Sequence, residues 1–308
     1  MIKILENLLL KEYTTLNIGG YARCFVEVHS IEELKDALQY AKDHNLEFYI
    51  IAGGSDLLVN DEGFPGLIIK LSLQGLTLED ERIKVAAGTS LQDLVNYTIE
   101  HGFAGIEKLN NIPGSVGGAV YGNAGAFGQT ISDKLVRIRV LVGDEEKYLN
   151  KQNIGFDYRE SILKKHKDWV ILEIEFKFDI DNPVELKKTA KDVLETRKQK
   201  YTPGIKCPGS FFKNLIIDRL PKDLQKDMPK DYYGKVPAWW FLEQVGAKGA
   251  TRGQIKISDH HANLFINQGE GTAADFFALA KEYKNKIKEK FGVDLEPEVQ
   301  LLGFKEKL

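Results

Sequence analysis

Residues 112–128 read IPGSVGGAVYGNAGAFG, six glycines in seventeen positions. Each glycine weakens a strand or a helix, because it packs no side chain and loses more chain entropy on folding. The stretch is therefore expected to form neither. Its small residues suit a backbone pressed against a bulky ligand. A second glycine loop, Ala52-Gly53-Gly54-Ser55-Asp56, follows directly on the apolar run Phe48-Tyr49-Ile50-Ile51. Successive N–H groups in such a loop can form an anion nest, although a plain turn between strands has the same composition. Two such loops in one domain point to a large phosphate-bearing cofactor gripped mostly by main chain.

Around these loops short strands alternate with helices. Ser30 opens a helix, with Glu33 completing a capping box and Ile31, Leu34, Leu38 and Ala41 on one face. After the first glycine loop, Asn60-Asp61-Glu62-Gly63 makes a turn and a strand is expected over residues 67–71. A Rossmann dinucleotide fold would place a helix there instead. Ser90 caps a second helix that stops at Gly102. Strands are expected over residues 135–142 and 169–178, around Phe156-Asp157-Tyr158-Arg159-Glu160-Ser161. Asp181-Asn182-Pro183 reads as a domain boundary. A helix over 184–200 follows, ended by Thr202-Pro203-Gly204. Residues 218–234 read as an exposed, charged helical insert. Thr272 caps a long helix that ends before Gly292.

The chain has 308 residues, enough for two domains with real cores. Its net charge of −3 excludes a generally basic nucleic-acid binder. The charge is uneven: residues 1–182 carry 19 Lys+Arg and 28 Asp+Glu, a net −9, and residues 183–308 carry 23 and 17, a net +6. A positive second half favours an anionic substrate. No signal peptide is read at the N-terminus, and no apolar run approaches membrane-spanning length. The two cysteines, Cys24 and Cys207, lack metal-ligand spacing and suit packed thiols in a reducing cytoplasm. His260-His261 point oppositely on an extended chain, so no metal is expected.

Three further residues invite chemistry. Arg159 can clamp a carboxylate or phosphate with its planar fork, or simply pair with a neighbouring acid. Ser210 stands between Gly209 and two phenylalanines, where a hydroxyl can meet a substrate oxygen or proton acceptor; a turn serine looks the same. No Gly-x-Ser-x-Gly elbow surrounds it. Glu298, beside Pro297 in an apolar terminal stretch, is either at an exposed strand end or aimed into a site.

Seven segments, TTLNIGG (14–20), AGGSDLLV (52–59), NIPGSVGGAVYGNAGAFG (111–128), YRES (158–161), GSFFKN (209–214), HAN (261–263) and LEPEV (295–299), together resemble the UDP-N-acetylenolpyruvoylglucosamine reductase (MurB) family. They occur in family order across nearly the whole chain, which makes the set specific where each alone is weak. The resemblance implies an α+β fold: an FAD-binding domain of the vanillyl-alcohol-oxidase (PCMH) type over 1–182, in two α+β subdomains of about 1–72 and 73–182. A C-terminal α/β domain over 183–308 would take the UDP-sugar.

It implies non-covalent FAD, since residues 52–60 hold no histidine to tether it, and NADPH as co-substrate. The cofactor would rest on Ala52, Gly53, Gly54, Ser55, Asp56, Pro113, Gly114, Ser115, Gly117, Gly118, Asn123, Gly125 and Ala126. Arg159 and Glu298 would polarise the substrate carboxylate, Ser210 would donate the proton, and Tyr158, Lys213 and Asn214 would bind substrate. The product is UDP-N-acetylmuramate, for peptidoglycan. A cytoplasmic monomer without nucleic-acid or membrane partners is expected. The alternatives are another FAD-dependent oxidoreductase of the same superfamily, acting on a sugar or hydroxy acid, and a non-enzymatic flavin- or nucleotide-binding module.

The chain departs from the family pattern in places. Leu215 stands where proline usually follows the asparagine of FFKN, and the 215–237 insert is longer than usual. Residues 253–258 read Gly-Gln-Ile-Lys-Ile-Ser, and the interval between YRES and GSFFKN is short, as in members without a tyrosine-bearing lid.

Overall fold

The computed structural model describes residues 2–202, 204–226, 228–229 and 233–308. Pro203 of the expected helix terminator, and Asp227, Lys230, Asp231 and Tyr232 of the expected insert, lie outside the described residues. The chain divides into two compact units, one of residues 1–7, 23–53 and 65–201, the other of residues 8–22, 54–64 and 202–308.

The first unit is built on two sheets. One runs in the order Leu5–Leu9, Tyr21–Val28, Phe64–Leu71, Phe48–Ile51, with the last two parallel. The other is antiparallel, in the order Glu145–Asn150, Leu135–Val142, Trp169–Phe176, Arg82–Ala86, Leu76–Glu79. In Leu135–Val142 the period-two pattern sends Ile138 and Val140 into the core and leaves Arg137 and Arg139 on the outer face. There Arg137 donates to Glu175 at 2.7 Å and Arg82 pairs with its other oxygen. Burial pushes the Glu175 carboxyl up, but the two arginine hydrogen bonds outweigh it and hold the group below its ordinary value.

The helices Ile31–Asp43 and Leu91–Glu100 cover the core side, burying Leu34, Ala37, Leu94 and Val95. Ser30 accepts from the Glu33 N–H at 3.1 Å; the Glu33 carboxylate reaches back to the His29 N–H at 2.7 Å, one residue earlier than a standard capping box. Both helices end alike. His44 stacks on Tyr40 and His101 on Tyr97, each with rings 4.0 Å apart, and each Nδ1–H donates to that tyrosine's carbonyl, which also accepts the histidine's own backbone N–H.

The expected boundary at 182/183 is corrected. The helix Pro183–Lys200, capped by Asn182, belongs to the first unit, where Leu186 and Ala190 join its core and Asn110 Nδ2 donates to the Ala190 carbonyl at 2.8 Å. The packing boundary falls at Tyr201/Thr202. Two early segments move the other way. Leu57–Val59 pairs in parallel with Gln300–Leu302, and the Asp61 carboxylate accepts from the Ala273 and Ala274 N–H groups at 2.7 and 2.9 Å. Asp61 thus caps the long helix Ala273–Phe291 together with Thr272, which accepts from Asp275.

The second unit packs that helix and the short helix Ala238–Gln244 against an antiparallel sheet of Thr251–Arg252, Ile255–Ile257 and Phe265–Asn267. Phe211, Phe212, Phe265 and Phe276 are fully buried with ring centroids 4.8–6.1 Å apart. The 215–237 insert is not a free helix. Leu215–Ile216 and Lys235–Val236 form its antiparallel stem, its only α-helical turn among the described residues is Lys222–Gln225, and Ile217, Leu220, Leu224 and Met228 pack on the core. The charged residues that suggested an exposed helix are interleaved with apolar ones that have a core to cover.

Candidate active site

The long glycine stretch contains a helix after all. Val116–Tyr121 is one and a half turns, capped by Ser115, whose Oγ accepts from the Gly118 N–H at 3.1 Å. Tertiary packing overrides glycine's poor propensity here. Gly117 donates to the Ala87 carbonyl at 2.8 Å, and a Cβ on it would sit 2.8 Å from that oxygen and 2.9 Å from the Ala87 Cβ. Only glycine lets the helix dock on the 87–91 segment, where Val116 also donates to Thr89 and Leu91 to Gly114.

The two glycine loops meet. A Cβ on Gly53 would lie 2.9 Å from the Gly114 Cα. Gly54, at φ 58°, is equally confined in the second unit: a Cβ there would overlap the Tyr13 carbonyl oxygen. Gly118 differs, since a Cβ on it would meet only Ser115 Oγ, at 3.4 Å, and the residue is exposed. Its missing side chain is required by nothing in the protein around it. Asn123, 6 % exposed and at φ 44°, donates from Nδ2 to the Asp157 carbonyl at 2.9 Å, while its buried Oδ1 has no partner among the described residues. A backbone cradle with an open glycine and an orphaned buried acceptor fits a flavin dinucleotide, which offers broad faces and N–H donors.

Gly118→Val is therefore expected to abolish FAD retention with the fold intact. The protein has room for the Cβ, and in a helix valine is no less favourable than glycine. The ratio of flavin to protein absorbance, read beside a urea unfolding curve, checks this; full flavin content would remove Gly118 from the cradle.

Arg159 sits in a tight turn. Asp157 and Glu160 exchange both backbone hydrogen bonds at 3.1 Å, leaving Tyr158 and Arg159 at the tip. Arg159 has φ 56°, a region that L side chains rarely adopt. Its Nη2 donates to the Gly125 carbonyl at 2.9 Å and its Nη1 to that of Asn123 at 3.4 Å. The guanidinium lies 5.3 Å from the centre of the Tyr158 ring. The turn thus brings Tyr158 and Arg159 to the glycine stretch at Asn123 and Gly125. Tyr121 is anchored to the same turn, its carbonyl accepting from Ser161 Oγ at 2.7 Å; burial first, and Glu160 second, push its phenol up.

In the second unit Ser210 and Glu298 become neighbours. Ser210 pairs with Leu264, Phe212 with Pro297, and the Glu298 N–H donates to the Phe211 carbonyl at 2.7 Å. Both side chains are half-buried. Gly209, at φ 91°, has open space where a side chain would project. Lys213 pairs with Glu296 at 3.2 Å, and Asn214 Oδ1 accepts from the Ala238 N–H at 3.2 Å. Asn263, 1 % exposed, brackets Phe212 by accepting from its N–H and donating to its carbonyl, both at 2.8 Å. It sets the segment that carries Ser210. The HAN segment was its only sequence signal, and gave no role. Among the described residues no group of three or more His, Cys, Asp or Glu side chains can hold a metal, and no helix is long and apolar enough to cross a membrane.

Residues 22–147 match the model of an FAD binding domain, and residues 199–302 that of the UDP-N-acetylenolpyruvoylglucosamine reductase C-terminal domain. The chain is 42% identical over 296 residues to the UDP-N-acetylenolpyruvoylglucosamine reductase of Solibacter usitatus, covering 96% of this chain and 95% of that one. With the Bacillus subtilis reductase it shares 34% identity over 304 residues, 98% and 94% of the two chains. The solved structure of the Thermus caldophilus reductase superposes with a TM-score of 0.80 at 29% identity, covering 98% of this chain and all of that one. The chain therefore belongs to the UDP-N-acetylenolpyruvoylglucosamine reductase family of FAD-containing oxidoreductases.

Proposed function

We propose that this chain uses NADPH to reduce UDP-N-acetylglucosamine enolpyruvate to UDP-N-acetylmuramate for peptidoglycan, in the cytoplasm and as a monomer. The observation that carries the site assignment is Arg159, held in a left-handed backbone conformation with its guanidinium on the carbonyls of Asn123 and Gly125. A non-glycine residue in that conformation costs free energy and persists only where the surrounding structure enforces it, which is common at functional sites.

FAD, resting on Ala52, Gly53, Gly54, Ser55, Asp56 and the 113–126 stretch, supplies hydride chemistry when bound. The remaining work falls to side chains. Arg159 takes the substrate carboxylate through its guanidinium, and so stabilises the charge that develops as the adjacent alkene is reduced. The Ser210 hydroxyl delivers the proton to the carbon next to that carboxylate. Glu298, set beside the Ser210 segment by its N–H bond to the Phe211 carbonyl, polarises the substrate carboxylate together with Arg159. Tyr158, Lys213 and Asn214 bind the rest of the substrate.

Anaerobic stopped-flow tests this reading. NADPH should bleach the flavin, and the enolpyruvyl substrate should restore its colour. Oxygen-dependent turnover of a sugar or hydroxy acid without NADPH would favour the oxidase alternative.

A further inference from the structure

The Arg159 turn is held from behind. Lys164, at the end of the short helix Ile162–Lys164, folds back so that Nζ donates to the Arg159 carbonyl at 2.6 Å. Its side chain is 15 % exposed, and Glu160 lies 3.9 Å from the ammonium. At the tip of this turn Arg159 occupies the third position with φ 56°, while Tyr158 keeps the ordinary negative φ. A turn of that pattern favours glycine at its third position. An arginine there tends to relax toward the right-handed region, which would re-aim its Cα–Cβ bond and draw the guanidinium off the Asn123 and Gly125 carbonyls.

We infer that Lys164 is a positioning residue for Arg159, its ammonium pinning the Arg159–Glu160 peptide so that the turn stays left-handed and the guanidinium stays aimed at the glycine stretch. The inference rests on the role proposed above for Arg159. Its physical basis is the strength of an ammonium-to-carbonyl hydrogen bond in a largely desolvated place. The bond is to main chain, so it fixes the direction of the side chain without occupying the guanidinium. Lysine suits the task because its long stem packs along the turn while its point charge caps the oxygen.

The test is a double-mutant cycle in the FAD-loaded enzyme. Lys164→Met keeps the stem and removes the ammonium. Flavin content and reduction by NADPH should stay near wild type. Single-turnover reoxidation by UDP-N-acetylenolpyruvoylglucosamine should slow by about tenfold or more, and the substrate should bind the oxidised enzyme several-fold more weakly, as one lost charge-assisted hydrogen bond implies. In an Arg159→Lys background the same change should add little, because the side chain to be aimed is already gone. Lys164→Gln, which retains an N–H donor, should recover part of the rate, and it takes the place of Lys164→Met if that variant fails to hold flavin.

A full additional loss in the Arg159→Lys background would show that Lys164 acts independently, and would overturn the inference. So would a Lys164→Met crystal structure in which Arg159 keeps its positive φ and its carbonyl contacts. If Arg159→Lys alone leaves reoxidation unchanged, it is the role of Arg159 that falls. If Arg159→Lys slows the reaction and Lys164→Met does not, only the positioning role falls.

Discussion

Arg159→Lys is expected to slow reoxidation of the reduced flavin by the enolpyruvyl substrate by about 10²–10³-fold, the cost typical of losing a preorganised group at a developing negative charge. Lysine keeps the charge and loses the fork. A single ammonium cannot span the Asn123 and Gly125 carbonyls and also meet a carboxylate edge-on, and it loses the guanidinium's place over the Tyr158 ring. The left-handed backbone remains as demanding for lysine as for arginine, so the substitution isolates side-chain geometry from turn conformation. Flavin reduction by NADPH precedes the appearance of charge on the substrate and should change much less. Measuring the two half-reactions separately decides the matter: equal slowing of both would place Arg159 elsewhere, at the nucleotide.

Ser210→Ala should leave flavin content and reduction by NADPH near wild type, while reoxidation falls by at least the ~10²-fold typical of a lost general acid. The hydroxyl is needed only once hydride has reached the substrate and the carbon next to its carboxylate must take a proton. The main chain at this position has its own anchors. The segment is held through main chain by the Leu264 pairing, the Phe211 N–H to Asn263 bond and the Asn263 bracket on Phe212, none of which uses the Ser210 side chain. Substrate affinity should change modestly. If the serine is only part of a turn, pre-reduced Ser210→Ala enzyme will reoxidise at the wild-type rate.

Much of the site was legible because its parts are local. The caps at Ser30 and Thr272, the stop at Gly102 and the two glycine loops follow from residue types whose backbone preferences hold anywhere. What misled was the reading of residues by composition alone. The glycines of residues 112–128 spoke against a helix, yet Val116–Tyr121 is one, since Gly117 is there to let backbone touch backbone at Ala87. The charges of residues 218–234 spoke for an exposed helix, yet Leu220, Leu224 and Met228 cover a core that no local reading contains.

By itself the sequence determined the α+β class, the capped helices and, through seven ordered motifs, the family. Those are properties of local backbone preference and of residue order, which a linear string carries in full. Tertiary structure alone decided that Gly53 lies against Gly114, that Asn263 brackets Phe212, that Leu57–Val59 and Asp61 pack with the C-terminal segments, and that Arg159 is left-handed with Lys164 on its carbonyl. Except for the short-range Lys164 contact, each joins residues more than thirty positions apart. Such contacts depend on which surfaces survive burial elsewhere, and a positive φ at an arginine runs against the residue's own preference, so it arises only where the surrounding hydrogen bonds outweigh that preference.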